Sequence, residues 1–327
     1  MKTQYVRDIK DRDEVNSCFL VKHSALATGK NGKPYMNLIL TDSSGDLEAR
    51  IWDDVVSASG QVVKEAYVRV QGRCQLFQSR RQLVIKSIDI VREDAIDPKD
   101  YQPKGVCDVE ALYTTLCQMV ESMEDPDYRA LARAVLIDDI EIVTLLKKAP
   151  AAKTIHHAYA GGLIEHIVSV TQLAHMVCMH YGPKVHRDLV YLGAFLHDIG
   201  KIWELGGERV TEYTDIGRFI GHLTMGVELV TAKVRLIEEA TGRPFPQDKI
   251  LFVKHVLLAH HGELEYGSPK EPQMLEAIIV HMVDDLDSKV NTISRWIEQD
   301  QSLGSWTQLH RSMNRYFYKA AWTTEAL

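Results

Sequence analysis

The stretch that most constrains this chain is Gly193-Ala194-Phe195-Leu196-His197-Asp198-Ile199-Gly200-Lys201. An apolar run from Leu189 to Leu196 predicts a buried helix, and at its end an imidazole and a carboxylate stand side by side. Gly200 behind them reads as a helix stop. Nitrogen and oxygen donors of this kind suit a borderline or hard divalent ion. A lone His-Asp pair is as often structural, so the weight falls on the other histidines and acids that separate helices would bring to it.

At 327 residues the chain has room for two domains, each with its own core. Its longest apolar runs are broken by charge or histidine short of a bilayer span, which predicts no membrane partner. The start, Met1 to Asp8, lacks the apolar centre of a signal peptide. Five cysteines with no CxxC spacing predict reduced thiols and a cytoplasmic protein. The formal charge of −7 means that any polyanion must be met by local basic patches or metal ions rather than by a global field.

From Glu14 to Val91 the chain reads as strands: Cys18–His23, Tyr35–Thr41, Asp46–Trp52, Tyr67–Gln75 and Gln82–Ile90. Turn signals at Gly29–Gly32, Asp42–Gly45 and Ser79–Arg81 separate them, with a helical interruption over Asp53–Glu65. Five short strands so arranged predict a small Greek-key barrel of the OB type. Tyr35, Trp52 and Phe77 are candidate stacking platforms for bases, and Lys30, Lys33, Arg50, Arg73, Arg80 and Arg81 candidate phosphate contacts. Taken singly, each aromatic reads better as barrel core. As a set they favour nucleic-acid binding.

Residues 94–107, with two prolines amid charges, predict a linker after a first domain of residues 1–93. A helical period then begins, with Leu112, Leu116, Met119, Val120 and Met123 on one face, and continues as a connector over 108–150. The all-α domain proper is placed at 151–300 and a helical tail at 301–327. In the tail, aromatic and basic residues mix between Ser305 and Lys319, a stripe that predicts docking on the helical domain or another subunit ahead of nucleic-acid contact.

His166, His197-Asp198, His222, His260-His261 and Asp284 fall on five predicted helices, and a bundle can aim such side chains at one point. Each has an ordinary structural alternative: a core histidine, a helix-start residue, or, for Asp284, membership of the solvated acidic run Asp284-Asp285-Asp287.

The order His, His-Asp, further His, Asp resembles the HD-domain phosphohydrolase superfamily. Over nearly the whole chain the sequence is similar to the bacterial YhaM-like 3′-to-5′ exoribonuclease family, which joins an OB domain to an HD domain. The resemblance is carried by Gly32-Lys33-Pro34-Tyr35, by His156 to His166, by His197-Asp198-Ile199-Gly200-Lys201, by His260-His261-Gly262 and by His281 to Lys289. It implies an OB-type barrel followed by an all-α HD bundle. It also implies a metal-dependent exonuclease that cuts single-stranded RNA, with single-stranded DNA as a further substrate, to nucleoside 5′-monophosphates by metal-activated hydroxide.

The implied centre holds one or two divalent ions. The resemblance favours manganese, with iron, cobalt, nickel or magnesium as alternatives. One ion falls to His166, His197, Asp198 and Asp284. Asp198 bridges to a second at His222 and His260, with His261 a further candidate. Asp198 and His197 are the implied catalytic pair. Lys201 is read as neutralising the phosphate or, equally, as a cation at a helix end, and His157 as a substrate contact.

Two further readings stand beside this one. The first is a phosphohydrolase of nucleotides or cyclic dinucleotides, although the Gly-Tyr-Pro signature of the latter is replaced here by Tyr266-Gly267-Ser268-Pro269. The second is a non-catalytic single-strand-binding protein. A homo-oligomer is compatible with all three.

Overall fold

The computed structural model describes residues 2–29, 32–52, 62–77, 80–101, 108–153, 159–207, 209–300, 302 and 304–319. The chain divides into two units, 1–104 with 207–210, and 105–206 with 211–327.

In the first unit the alternation of apolar and polar residues closes into a five-stranded barrel. Its strands are β1 (Glu14–Thr28), β2 (Pro34–Asp42), β3 (Gly45–Ile51), β4 (Tyr67–Phe77) and β5 (Arg80–Ile90), in the order β1-β2-β3-β5-β4. β1 is long enough to pair twice. Glu14–Leu20 lies against β4 and Leu20–Thr28 against β2, with a bulge between Val21 and His23 that bends the strand from one partner to the other. Only β3 and β5 run parallel. Met36, Leu38 and Leu40 of β2, Leu47, Ala49 and Ile51 of β3, and Leu83 and Ile85 of β5 point inward at period two and fill the barrel.

The OB-type barrel read from the sequence is therefore present; β1 is nine residues longer than expected, β2, β4 and β5 are two longer each, and β3 has the expected length. Arg80 and Arg81, read as a turn, open β5. The helix expected over Asp53–Glu65 lies largely outside the described residues, and Val62–Glu65 is not helical.

The expected linker differs as well. Two short 3-10 turns, Glu93–Ala95 and Pro98–Asp100, bring Tyr101 into a buried edge-on contact with Tyr67 at 4.9 Å. Tyr5 donates its hydroxyl to Asp100 at 2.6 Å, and the Ser43 amide donates to the Asp100 carbonyl at 2.8 Å. Up to Tyr101 the stretch is a strap on the barrel, held by the buried Tyr101 ring and by the hydrogen bonds to Asp100. The 207–210 segment joins the same unit through Arg209, which donates to the Glu65 carbonyl at 2.9 Å and lies over Tyr67.

The second unit is helical, as expected. Its elements are α1 (Val109–Glu121), α2 (Pro126–Leu136), α3 (Ile140–Lys148), α4 (Gly162–Tyr181), α5 (Arg187–Leu196) and α6 (Lys201–Glu204). A two-stranded ribbon (β6 Leu205–Gly206, β7 Glu212–Tyr213) precedes α7 (Asp215–Phe219), α8 (His222–Thr241), α9 (Gln247–Ala259) and α10 (Leu275–Gln299). Aspartates cap α1, α2 and α3, where Asp108, Asp125 and Asp139 accept the first free amides. The most apolar window of α4 has a mean hydropathy of 1.2, enough by length and composition for a membrane span, contrary to the sequence expectation. It is instead the core helix of this bundle, with Leu163, Ile164, Ile167, Val170 and Ala174 fully buried.

Over residues 304–319 the tail is not helical. Isolated antiparallel bridges pair Trp306 with Tyr318 and His310 with Arg315. It docks on the end of α10, where Trp296 donates to the Gln308 carbonyl at 3.3 Å and stacks edge-on with His310. Docking was the expected role, and the helix expected for it is absent from 304–319.

Candidate metal centre and nucleic-acid face

All the ligand candidates but Asp284, which is in mid-helix, stand at or near the end of a helix that packing holds in place. His166 lies in the first turns of α4 and is fully buried. His197 and Asp198 follow α5, which lies so close to its neighbours that a Cβ at Gly193 would come within 2.6 Å of Val256 on α9 and 3.0 Å of Val280 on α10. His222 opens α8, His260 and His261 leave the end of α9, and Asp284 lies on α10. Gly200 is not a left-handed stop, as the sequence suggested. Its φ of −63° is helical and it opens α6. A Cβ there would stand 2.2 Å from the His222 carbonyl oxygen, so the glycine is what lets α8 approach Asp198.

The seven side chains meet at one place. On one side His166 Nε2 lies 3.2 Å from His197 Nε2, 3.1 Å from Asp284 Oδ1 and 3.5 Å from Asp198 Oδ2. His197 Nε2 is 3.4 Å from Asp198 Oδ2 and 3.7 Å from Asp284 Oδ1. On the other side Asp198 Oδ1 is 3.5 Å from His222 Nε2 and 3.6 Å from His260 Nε2, and His222 Nε2 is 3.2 Å from His261 Nε2. The two oxygens of Asp198 thus face two separate groups of imidazoles. The cluster can hold a divalent metal ion: His166 with His197 and Asp198, and His222 with His260 and His261, each offer ligand atoms within 4.8 Å of one another.

The tautomers agree with that use. His197 donates Nδ1–H to Ala194 O at 2.9 Å, His260 to Leu257 O at 2.9 Å and His261 to Tyr266 O at 3.1 Å. His166 donates to Asp287 Oδ2 at 2.8 Å and His222 to Glu204 at 3.0 Å. With every Nδ1 tied to an oxygen, every Nε2 is turned toward the centre. His260 Nε2 is buried and finds no hydrogen-bond partner among the described residues. A bare imidazole lone pair in a dry site is costly unless a cation meets it.

Charge is arranged to match. Burial opposes charging of His166, but Asp284 and Asp287 outweigh it and raise the imidazole to about 9. Burial lowers His260 to about 4 and also lowers His261. Against the burial that would raise them, Lys201 and His197 hold Asp198 well below the carboxylate range, and His166 and His197 lower Asp284. The Lys201 side chain is largely buried, with Nζ 2.6 Å from Asp198 Oδ2, and stays charged because Asp198 outweighs the cost of burial.

Sequence reasoning missed the residues behind the ligands. Asp287, placed in a solvated run, is buried against His166 and also accepts from Ser169. Its spacing of three from Asp284 puts both on one helical face, a signal that was available. Glu204 grips both the His222 amide and its ring, at 3.1 and 3.0 Å, and nothing in the linear sequence marks it. His281 lies one turn before Asp284 but turns away, donating to the His260 carbonyl at 2.8 Å.

On the barrel, four of the predicted nucleic-acid residues come together. Tyr35 and Trp52 stack at 4.8 Å, and the Arg50 guanidinium lies 5.2 Å from Tyr35, 5.8 Å from Trp52 and 5.4 Å from Phe77. Trp52 and Phe77 remain 42% and 44% exposed, so they are not core. Lys33 is exposed nearby in sequence. Arg80 pairs with Glu48 at 3.3 Å and Arg73 approaches Glu14. Arg81 differs from the expectation: it donates to the carbonyls of Val6 and Ile9 at 2.7 and 2.5 Å and pins the N-terminal segment. Lys30 and His157 lie outside the described residues.

Residues 163–289 match the HD domain family, and residues 15–91 match the OB-fold nucleic acid binding domain family. The chain is 35% identical over 310 residues to the 3′-5′ exoribonuclease YhaM of Oceanobacillus iheyensis, covering 94% of each chain. It is 33% identical to the protein of that name from Bacillus subtilis, covering 94% of this chain and 95% of that one. Among solved structures, the second OB-fold domain of replication protein A from Methanococcus maripaludis matches at 18% identity over 30% of this chain and 100% of that one, with a TM-score of 0.24. On the length and identity of the first two matches, the chain belongs to the YhaM family of 3′-5′ exoribonucleases.

Proposed function

We propose that this chain is a metal-dependent exonuclease that removes nucleoside 5′-monophosphates from the 3′ end of single-stranded RNA, and of single-stranded DNA as a second substrate. The observation that carries the reading is the convergence of the Nε2 atoms of His166, His197, His222 and His260 on the two oxygens of Asp198, with Asp284 beside His166 and His261 beside His222. His166, His197, Asp284 and Asp198 Oδ2 would hold one ion, and His222, His260, His261 and Asp198 Oδ1 a second. The nitrogen and oxygen set suits manganese or its first-row neighbours. Divalent ions bound there supply Lewis acidity toward an anionic phosphodiester and a nucleophile near neutral pH.

The protein's own part is positional. Asp198 is kept ionised by Lys201, and Lys201 leaves a buried positive charge beside the place a phosphate would take. The Arg50 cluster supplies flat faces and a cation for an unpaired strand, which favours a polymer over a mononucleotide or cyclic dinucleotide.

Unpaired cysteines at 18, 74, 117 and 178 support a cytoplasmic setting. A homo-oligomer is supported by the outward face of α10, where Leu275, Ile278, Met282, Leu286 and Val290 are all exposed at helical spacing. Sedimentation of Met282→Glu with Leu286→Glu should then give a smaller species than wild type, and an unchanged mass would oppose it.

The function is tested with 5′-labelled single-stranded RNA and DNA and manganese-loaded protein. The reading expects a descending one-nucleotide ladder and mononucleotide products that Asp198→Ala abolishes. Intact strands beside a cleaved mononucleotide or cyclic dinucleotide would replace it with the small-substrate reading.

A further inference from the structure

The metal cluster is not equally closed on all sides. His166, His197 and His260 are fully buried and form its floor, whereas the His222 and Asp284 side chains keep 10% and 16% of their surface and His261 is half-buried. The cluster therefore meets solvent at His222, His261 and Asp284.

Next to the first two of these in the chain stand the most exposed large aromatics of the described residues. Phe219 is 89% exposed three residues before His222, and Tyr266 is 70% exposed in the turn whose carbonyl accepts the His261 ring N–H. A phenylalanine left almost wholly in water forgoes the gain of burial.

Both are carried on pinned backbone. α7 is capped by Thr214, whose Oγ1 accepts the Gly217 amide at 3.0 Å, and it lies so close to α6 that a Cβ at Gly217 would be 2.4 Å from the Glu204 carbonyl. The Leu264–Tyr266 turn is tied at its far side by buried Ser268, which donates its hydroxyl to the Leu258 carbonyl at 3.0 Å. The same Glu204 that α7 abuts holds the His222 ring, and the same turn that carries Tyr266 holds the His261 ring. Each aromatic is thus fixed relative to one imidazole at the opening.

We propose that Phe219 and Tyr266 are a second base-stacking pair, separate from the aromatics of the barrel, that grips the 3′-terminal nucleobases of the single strand at the mouth of the metal centre. The assignment rests on the exonuclease reading above. A phosphodiester placed at the metals carries an unpaired base on each side, and the segments next to His222 and His261 carry two exposed aromatic rings on anchored backbone. Because stacking tolerates any base, the pair sets the hold on the strand end without setting sequence preference.

The test compares wild type with Phe219→Ala and Tyr266→Ala on two substrates, using manganese-loaded full-length protein. One is a single-stranded RNA whose 3′-terminal residue carries either a base or a tetrahydrofuran abasic analogue. The other is bis(p-nitrophenyl) phosphate, which has no base to stack. The expected result is a rise of about tenfold in KM for the normal strand in each variant. Hydrolysis of bis(p-nitrophenyl) phosphate stays unchanged, and Phe219→Trp and Tyr266→Phe restore the strand KM. Wild type should lose the same factor on the abasic strand, and the double alanine variant should no longer distinguish the two strands. A normal strand KM in both alanine variants, or an abasic penalty that persists in full in the double variant, overturns the stacking pair while leaving the exonuclease intact. No hydrolysis of either substrate by metal-loaded wild type overturns the exonuclease reading and the pair with it.

Discussion

The His166 imidazole sits between Asp284 and Asp287 and is protonated in the metal-free protein up to about pH 9. A metal can take its Nε2 only by displacing that proton, so apparent metal affinity should rise by up to about tenfold per pH unit until pH 9. The folded value lies above the ordinary one. The stability His166 contributes to the metal-free fold is therefore complete below about pH 6.5 and is lost as pH rises through 9. Asp287→Asn keeps the shape but weakens the hold on the Nδ1 proton. It should lower metal affinity by about 10–100-fold and flatten this pH dependence, both read by titration calorimetry. At this scale much of the site was legible, because histidine and aspartate are rarely placed together on apolar helices without a partner. The residues behind the ligands were less so. Asp287 looked like surface charge, and Glu204 is recruited only when α6 and α8 meet.

Among the elements, α6 and α8 show how a small residue sets a metal site. Gly200 leaves no room for a Cβ against the His222 backbone, so Gly200→Ala must push the start of α8 away from Asp198. Its backbone is already helical, so the cost is steric and not conformational: about 1–3 kcal/mol of stability, read by thermal unfolding, with a larger loss of activity. The sequence marked this glycine as a stop because a glycine after a helix usually is one, and the competing reason, a close approach of a distant helix, leaves no local trace. The same limit explains the strap and the tail. Prolines and charges at 94–101 looked like a linker, although Tyr101 buries itself on the barrel, and a helical stripe at 305–319 gave way to bridges that seat His310 on Trp296. Period-two and period-3.6 patterns were readable wherever one face was buried, which covers the barrel and the bundle helices.

For the molecule as a whole, a barrel carrying an aromatic–arginine face and a bundle carrying a seven-residue histidine–aspartate cluster belong to one chain of an exoribonuclease family. Each unit builds its chemistry on its own core: the barrel interior is filled while Trp52 and Phe77 stay exposed, and the bundle buries His166, His197 and His260 where the start of α4 meets the ends of α5 and α9. Asp198 is the hinge of this account, since its two oxygens face His166 and His197 on one side and His222 and His260 on the other. The most direct measurement is the number of manganese ions bound per chain, by elemental analysis after dialysis, in wild type and in Asp198→Asn. The account predicts two ions in wild type and at most one, weakly held, in the variant. Two tightly bound ions in the variant, or none in wild type, would contradict a centre built across Asp198.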